Sequence, residues 1–415
     1  VIARAVVWGA VCAGMCGAAS PPEDLMQRAA QAPPEIAAWL LMKQATPERI
    51  PSKERRMAVL EEAFELASRA SMPYPLVRAS EAVTFDSVAG KRQEASLQNL
   101  DGLGLQVRAV LAMMNLSPAK AQEMALSMQV PVPPKTTCAD LLVARVDEYY
   151  GLALAIARRG FTAKQREEGR PAQYLAHIIA MSSTPGQLLG AVRLVSQFEA
   201  GEKDRAALMA ALGSAMRTAG ADPRAYAAVP ELDDEVDVLA QGSPEGGALT
   251  EAYKAFVGVQ TSKPCPADEA AATLLSKGPA KDLTRSLNEL RMTSNSTEDD
   301  RPARFNVLLH RVESWRPEQG QDAMEFFQAK SAVYRSLLDT APEDASLNGT
   351  IASFVGFLRD TPVKSEHPAE WLAQFRRVLQ PWAPAGQRSV AMAREEIRRS
   401  GDALMSLLAE SGESF

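Results

Sequence analysis

Apolar residues recur at helical spacing along almost the whole chain. Met57, Leu60, Phe64 and Ala67 fall at i, i+3, i+7 and i+10, one stripe of a helix. Leu103, Val107, Val110, Leu111 and Met114 form a second stripe, and Leu142, Val146, Tyr149, Ala153 and Ile156 a third. Leu188, Val192 and Val195 follow, then Leu347, Ile351, Phe354 and Leu358, then Trp371, Phe375, Val378 and Trp382, where Pro381 ends the helix nearby. Such stripes are the buried faces of packed amphipathic helices, and none has the look of a cofactor box. Alternation of the strand type is nearly absent; residues 81–89, with Val83, Phe85 and Val88, are the best candidate. Helix starts are marked by Thr46-Pro47, Ser117-Pro118, Thr184-Pro185, Asp222-Pro223 and Thr361-Pro362. In each, a side-chain oxygen can take an orphan backbone N–H ahead of a proline, which has none to orphan. The starts follow no fixed period and the tetratricopeptide pattern is not matched. The reading is an all-α protein, an irregular α-solenoid or multi-helix array of stacked helical hairpins.

Polar and proline-rich stretches divide this pattern. Residues 1–19 read as a signal peptide: Arg4 is the positive end, Ala5 to Met15 is uncharged, and Gly17 and Ala19 are the small residues before a cut ahead of Ser20. Acylation of Cys16 or Cys12 is the competing version, although neither follows the usual Leu-Ala-Gly run. Residues 20–292 then form a large helical lobe, with softer breaks at 129–137, where Pro131, Pro133 and Pro134 exclude a helix, and at the turn cluster 242–247. Residues 293–304 (TSNSTEDDRPAR) form a polar linker, and 305–415 a smaller C-terminal helical lobe.

Composition narrows the function more than it defines it. Hydrophobic residues make up 46% of 415, enough for a large core. The net charge is −6, and the Arg-Arg pairs at 55–56, 158–159, 376–377 and 398–399 are scattered, which argues against nucleic acid as a partner. Each pair reads as a solvated helix face. No stretch beyond the leader is long enough for an integral membrane segment. From Leu97 to Tyr150 the order is an apolar helix, Ser117-Pro118-Ala119-Lys120-Ala121, a proline-rich link, then Cys138-Ala139-Asp140-Leu141-Leu142 and Asp147-Glu148-Tyr149-Tyr150. This order resembles that of uncharacterised exported all-helical proteins of environmental bacteria. The resemblance implies export and helices; it brings no activity and no site residues.

Catalytic and metal motifs are missing. There is no HExxH, phosphate loop, nucleophile elbow or haem motif, and no cofactor is expected. Asp147 and Glu148 are the pair to examine for acid–base work on a sugar polymer. Adjacent carboxylates on a helix diverge, so they would need a partner from elsewhere. His177, inside Tyr174-Leu175-Ala176-His177-Ile178-Ile179, is a candidate base that reads better as a core or boundary histidine. His310 and Glu313 make a surface i,i+3 pair. Glu231 to Asp237 reads as the acidic start of a helix. Cys138 and Cys265 remain after leader cleavage, both at loop edges, and an exported location permits a disulfide between them. The expectation is an exported, periplasmic or extracellular, non-enzymatic scaffold that binds a protein or cell-envelope partner. The alternative is an all-α hydrolase or lyase acting on a polymer through isolated carboxylates. A deep acidic cleft with aromatic platforms would favour the enzyme, and a concave face without a pocket the scaffold.

Overall fold

The structure is a computed structural model that describes residues 31–79, 88–241, 243–263, 301–382 and 386–411, with residues 29, 265, 283 and 286 singly. Residues 1–19, expected to be a leader, together with Val83, Phe85 and residues 293–300, lie outside the described residues. Within them the protein is overwhelmingly helical, with two three-residue strands.

The first part of the chain forms α1 (Pro34–Gln44), α2 (Lys53–Ala67), α3 (Val88–Ser96), α4 (Gly102–Leu116) and α5 (Pro118–Ser127). The middle adds α6 (Asp147–Arg159), α7 (Ala163–Glu167), α8 (Arg170–Ala180), α9 (Pro185–Gln197), α10 (Glu202–Thr218), α11 (Pro223–Ala227), α12 (Glu231–Gln241) and α13 (Gly246–Thr261). The C-terminal part is α14 (Arg301–Ser314), α15 (Ala323–Leu338), α16 (Asp344–Asp360), α17 (Val363–Glu366), α18 (Pro368–Val378), α19 (Gln387–Ser400) and α20 (Ala403–Ser411). The strands β1 (Leu76–Arg78) and β2 (Leu142–Ala144) pair antiparallel, with Val77 opposite Val143. They sit away from the expected strand at 81–89, and Val88 opens a helix instead. Three residues are too few for a period to show, and these pair because two loops meet and satisfy one another's backbone groups.

The capping signals hold at three of the five marked starts. Ser117 Oγ takes the Lys120 N–H, Thr184 Oγ1 takes that of Gln187 and the Gln187 side chain returns the favour, and Asp222 takes that of Ala225. Thr46 differs: its carbonyl closes a single turn with the N–H groups of Arg49 and Ile50, and Pro51 prevents continuation. The next helix starts at Lys53, capped by Ser52. Thr361-Pro362 opens only the four residues of α17. α12 ends at Gln241 and α13 begins at Gly246, so the last two residues of the 242–247 cluster are helical, and α12 begins on the acidic run at Glu231.

Two hydrophobic cores result, and they do not follow chain order. One is enclosed by α4 to α13 and holds Val107, Val110, Ile156, Leu188, Val192, Leu212 and Phe256. The other holds Phe305, Phe327, Phe354, Trp371 and Phe375 of the C-terminal helices together with Ile36 and Leu40 of the first helix. Helices α2 and α4 form the shared wall: Val59, Ala63 and Leu105 face the C-terminal core, while Leu60, Phe64 and Leu103 face the middle one. α18 packs against α3, so the chain end returns to its beginning. The proline-rich stretch at 129–137 is a pinned strap: Gln187 Nε2 donates to the Pro131 carbonyl at 2.6 Å, and Thr136 N–H to Asp222 at 3.1 Å. Of the polar stretch 293–304, the last four residues belong to α14.

Beside the strap, the Cys138 and Cys265 sulfurs lie at bonding distance, 2.11 Å, with Cα atoms 5.3 Å apart. Among the described residues no helix is long and apolar enough to cross a membrane.

Candidate functional site

The return of α18 and α19 to α1, α3 and α4 leaves a cleft of about 1120 Å³ between them. Its walls bring Lys43 of α1, Arg108 of α4, Arg376 and Arg377 of α18 and Arg394 of α19 around one carboxylate, Glu94 of α3. A chain of net charge −6 has therefore concentrated cations at this cleft.

The supports of these cations are local and specific. Trp39 and Lys43 are one turn apart on α1, and the ammonium lies 5.9 Å from the indole centroid. Arg376 approaches the same ring at 5.6 Å and donates to the Gln98 side chain, so Trp39 holds two cations in place. Asn99 is the one non-glycine described at positive φ, +55°, a turn conformation that asparagine tolerates. That turn aims its carbonyl at the Arg108 guanidinium, while Arg108 Nε donates to the Gly104 carbonyl at 3.0 Å. Burial holds Arg108 below the ordinary arginine range, with partial relief from Asp101 and Glu148. Burial lowers Arg376 as well. Both are cations with little water, and an anion in the cleft would stabilise them.

Glu94 is the cleft's counter-charge. Burial alone would raise its pKa, but hydrogen bonding and charge from Arg377, with Arg335 and Lys91, bring it below the usual value. Arg377 Nε donates to it at 3.0 Å. Between the cations lie apolar surfaces from Met42, Ala112, Leu379 and Leu97, the last 71% exposed.

The residues singled out from sequence lie elsewhere. Asp147 accepts from Arg145 Nε at 2.6 Å and faces a space of only about 30 Å³, room for a water molecule and no sugar. Glu148 is exposed, and the two diverge as helix geometry requires. Glu148 does stand near Asp101, the buried cap of α4, whose carboxyl is pushed up to about 6 by burial and further by Glu148, against the Gly104 N–H. This pair does not line the cleft. His177 is exposed on α8, which corrects the reading of a core or boundary residue: its ring falls on the polar face, and Leu175, Ile178 and Ile179 take the buried one. His310 Nδ1 meets Glu313 at 2.9 Å on the surface, as the spacing implied. Among the described residues no three or more His, Cys, Asp or Glu side chains cluster where they could hold a metal.

Sequence reading missed every cation of the cleft. The Arg376-Arg377 pair read as a solvated face, yet both are half-buried on the cleft wall. The available signals were Trp39 and Lys43 at i,i+4 and the adjacent arginines; Arg108 and Arg394 carried none.

No protein-family model, curated protein or solved structure matches the chain.

Proposed function

We propose that the protein is an exported, non-enzymatic binding protein whose cationic cleft takes an acidic segment of a protein partner in the cell envelope. The carrying observation is the gathering of five cations around one already-paired carboxylate, with apolar patches between them. An extended peptide that alternates carboxylates with apolar side chains complements both features. Nucleic acid fits less well: the one indole in the cleft is buried and already holds two cations, so it offers no face for base stacking. Export is supported by the leader pattern and by the Cys138–Cys265 pair, which an oxidising compartment would maintain. A solenoid-like stacking of successive hairpins fits the middle helices, where α8 packs on α10 and α10 on α13.

The test is fluorescence anisotropy with a labelled peptide of alternating Asp/Glu and Leu, against a basic peptide of the same pattern and a single-stranded oligonucleotide. The acidic peptide is expected to bind best, to weaken steeply with salt, and to lose roughly tenfold or more in affinity in Arg108→Gln/Arg376→Gln/Arg394→Gln. Tighter binding of the oligonucleotide, or affinity unchanged in the triple variant, would overturn the reading. So would turnover of a polysaccharide that disappears on mutating Asp147 or Glu148.

A further inference from the structure

A second cavity, of about 460 Å³, lies within the C-terminal helices, between the segment after α14 and the facing sides of α15 and α16. It is in the size range of small-molecule sites, which combine aromatic walls with a few fixed polar groups. Four rings form its walls. Trp315 meets Phe326 edge-on at 5.4 Å, Phe326 meets Phe357 edge-on at 6.3 Å, and Tyr334 lies 5.8 Å from Phe357. The Tyr334 hydroxyl is tied to Ser353 at 2.8 Å, which fixes that ring.

Two cations stand at the cavity. Lys330 is 4% exposed, a rare position for lysine. Its ammonium donates to the Trp315 carbonyl at 2.8 Å and the Glu313 carbonyl at 3.4 Å, capping the end of α14. It also lies 5.1 and 5.6 Å from the Phe357 and Phe326 centroids. An ammonium has three protons, so one remains beyond these two bonds. Arg316, on the exposed rim, likewise donates to the Glu313 and Trp315 carbonyls. Two carboxylates stand at the same cavity, but Glu313 holds His310 at 2.9 Å and Asp360 holds Arg359 at 2.7 Å. Among the described residues neither Lys330 nor Arg316 has a carboxylate at ion-pair distance.

We infer that this cavity is a binding site for a small planar aromatic carboxylate, its ring against the wall formed by Trp315, Phe326 and Phe357 and its carboxylate on Lys330 and Arg316. The ring would gain the edge and face contacts that aromatic groups prefer. The carboxylate would complete the third donor of Lys330 and put a counter-charge at ion-pair distance from a desolvated cation. An aromatic amine is disfavoured, because Lys330 already occupies the cation position over the rings.

Isothermal titration calorimetry of the full chain with 2-naphthoate tests this, with the uncharged 2-naphthamide and the cationic 2-naphthylmethylamine as comparisons. The expected result is one site with a dissociation constant on the order of 10–100 µM, at least tenfold tighter for the acid than for either comparison. Burial, with the nearby Arg316 charge, lowers Lys330 to about 8, so affinity should fall as the pH rises from 7 to 9.5 and the ammonium is lost. Lys330→Met should abolish the preference for the acid. Since that change also removes the α14 cap, Arg316→Gln on the rim is the second variant and should weaken binding severalfold in a normally folded protein. No heat with 2-naphthoate at millimolar concentration, equal affinity for acid and amide, or affinity unchanged in Arg316→Gln and Lys330→Met would overturn the inference.

Discussion

The middle of the chain and its C-terminal part are both helical, yet they fill and close their interiors differently. In the middle, α4 to α13 interlock mostly aliphatic and methionine side chains, with ring pairs such as Tyr253 and Phe256 among them, and buried polar side chains serve caps and straps. Asp222 takes the N–H groups of Thr136 and Ala225 while giving its own to Gln260, and Tyr150 hydroxyl meets Ser182 at 2.7 Å. α6 and α9 approach closely enough that a methyl group at Gly190 would run into the Tyr150 ring. The C-terminal core relies on rings: Trp371 stacks on Phe375 at 5.2 Å and Tyr334 on Phe354 at 5.0 Å. Among the described residues it also leaves buried polar atoms of Gln328, Ser331, Ser346 and Gln374 without a hydrogen-bond partner. Large flat side chains fill space in fewer, less adaptable pieces, and gaps between them are harder to close. Both the cationic cleft and the aromatic cavity border that part. The middle keeps an opening of its own, about 400 Å³ beside α6, α8 and α10, so the two parts differ in degree.

The largest expected break in this comparison is at the cysteines. A bridge across 127 residues restrains the unfolded middle part, and Cys138→Ser should cost about 4–5 kcal/mol by the chain-entropy argument. Hydrogen exchange should show the loss concentrated in α6 to α13, with α14 to α20 retaining protection; an even loss over both parts would mean that the two cores unfold as one. Next is Trp371→Ala. The indole is fully buried, stacked, and donates to the Leu358 carbonyl at 2.8 Å. Denaturant unfolding should show a loss of about 3–5 kcal/mol, this time with protection lost in the C-terminal helices.

The smallest effect sits on the shared wall. Asp101 caps α4 from a buried position, and its carboxyl titrates near 6, above the ordinary aspartate range, chiefly through burial. Between about pH 4 and 6 the folded form therefore keeps a proton that the unfolded chain has released, and stability falls as the pH rises through that window. Above 6 the full cost is present. Asp101→Asn keeps an oxygen for the Gly104 N–H without the charge. Thermal melts should show it more stable than the parent at pH 8, by up to about 3 kcal/mol, with the difference closing near pH 4.

How much of this was legible can be judged residue by residue. The stripes through Val107 and Val110, through Leu188 and Val192, and through Trp371 and Phe375 all became buried helix faces, because helical periodicity is a local property. The caps at Ser117, Thr184 and Asp222 were legible for the same reason, since the donor lies three residues from the acceptor. Thr46-Pro47 failed because Pro51, a few residues on, stopped the turn from growing. The strand pair was missed, and Leu142, read as the first position of a helical stripe, lies in β2, because each strand is shorter than the pattern that reveals one. His177 read as partly buried because its neighbours are apolar, although a helix turns adjacent residues to different faces.

By itself the sequence determined that this protein is helical, marked the helix starts at Ser117, Thr184 and Asp222, and singled out the two cysteines that meet. Only the tertiary structure decided that α1 and α18, from opposite ends of the chain, face one another across α3 and α4. That packing brings Lys43, Arg108, Arg376 and Arg394 to one cleft, and within the C-terminal helices the packing of α14, α15 and α16 places Lys330 among aromatic rings. The reason is physical: helix periodicity and capping act over a few residues, whereas a site is an intersection of helix surfaces. Each of these cations sits in its own segment at a spacing that any solvated helix would show. They become neighbours only where the surfaces meet.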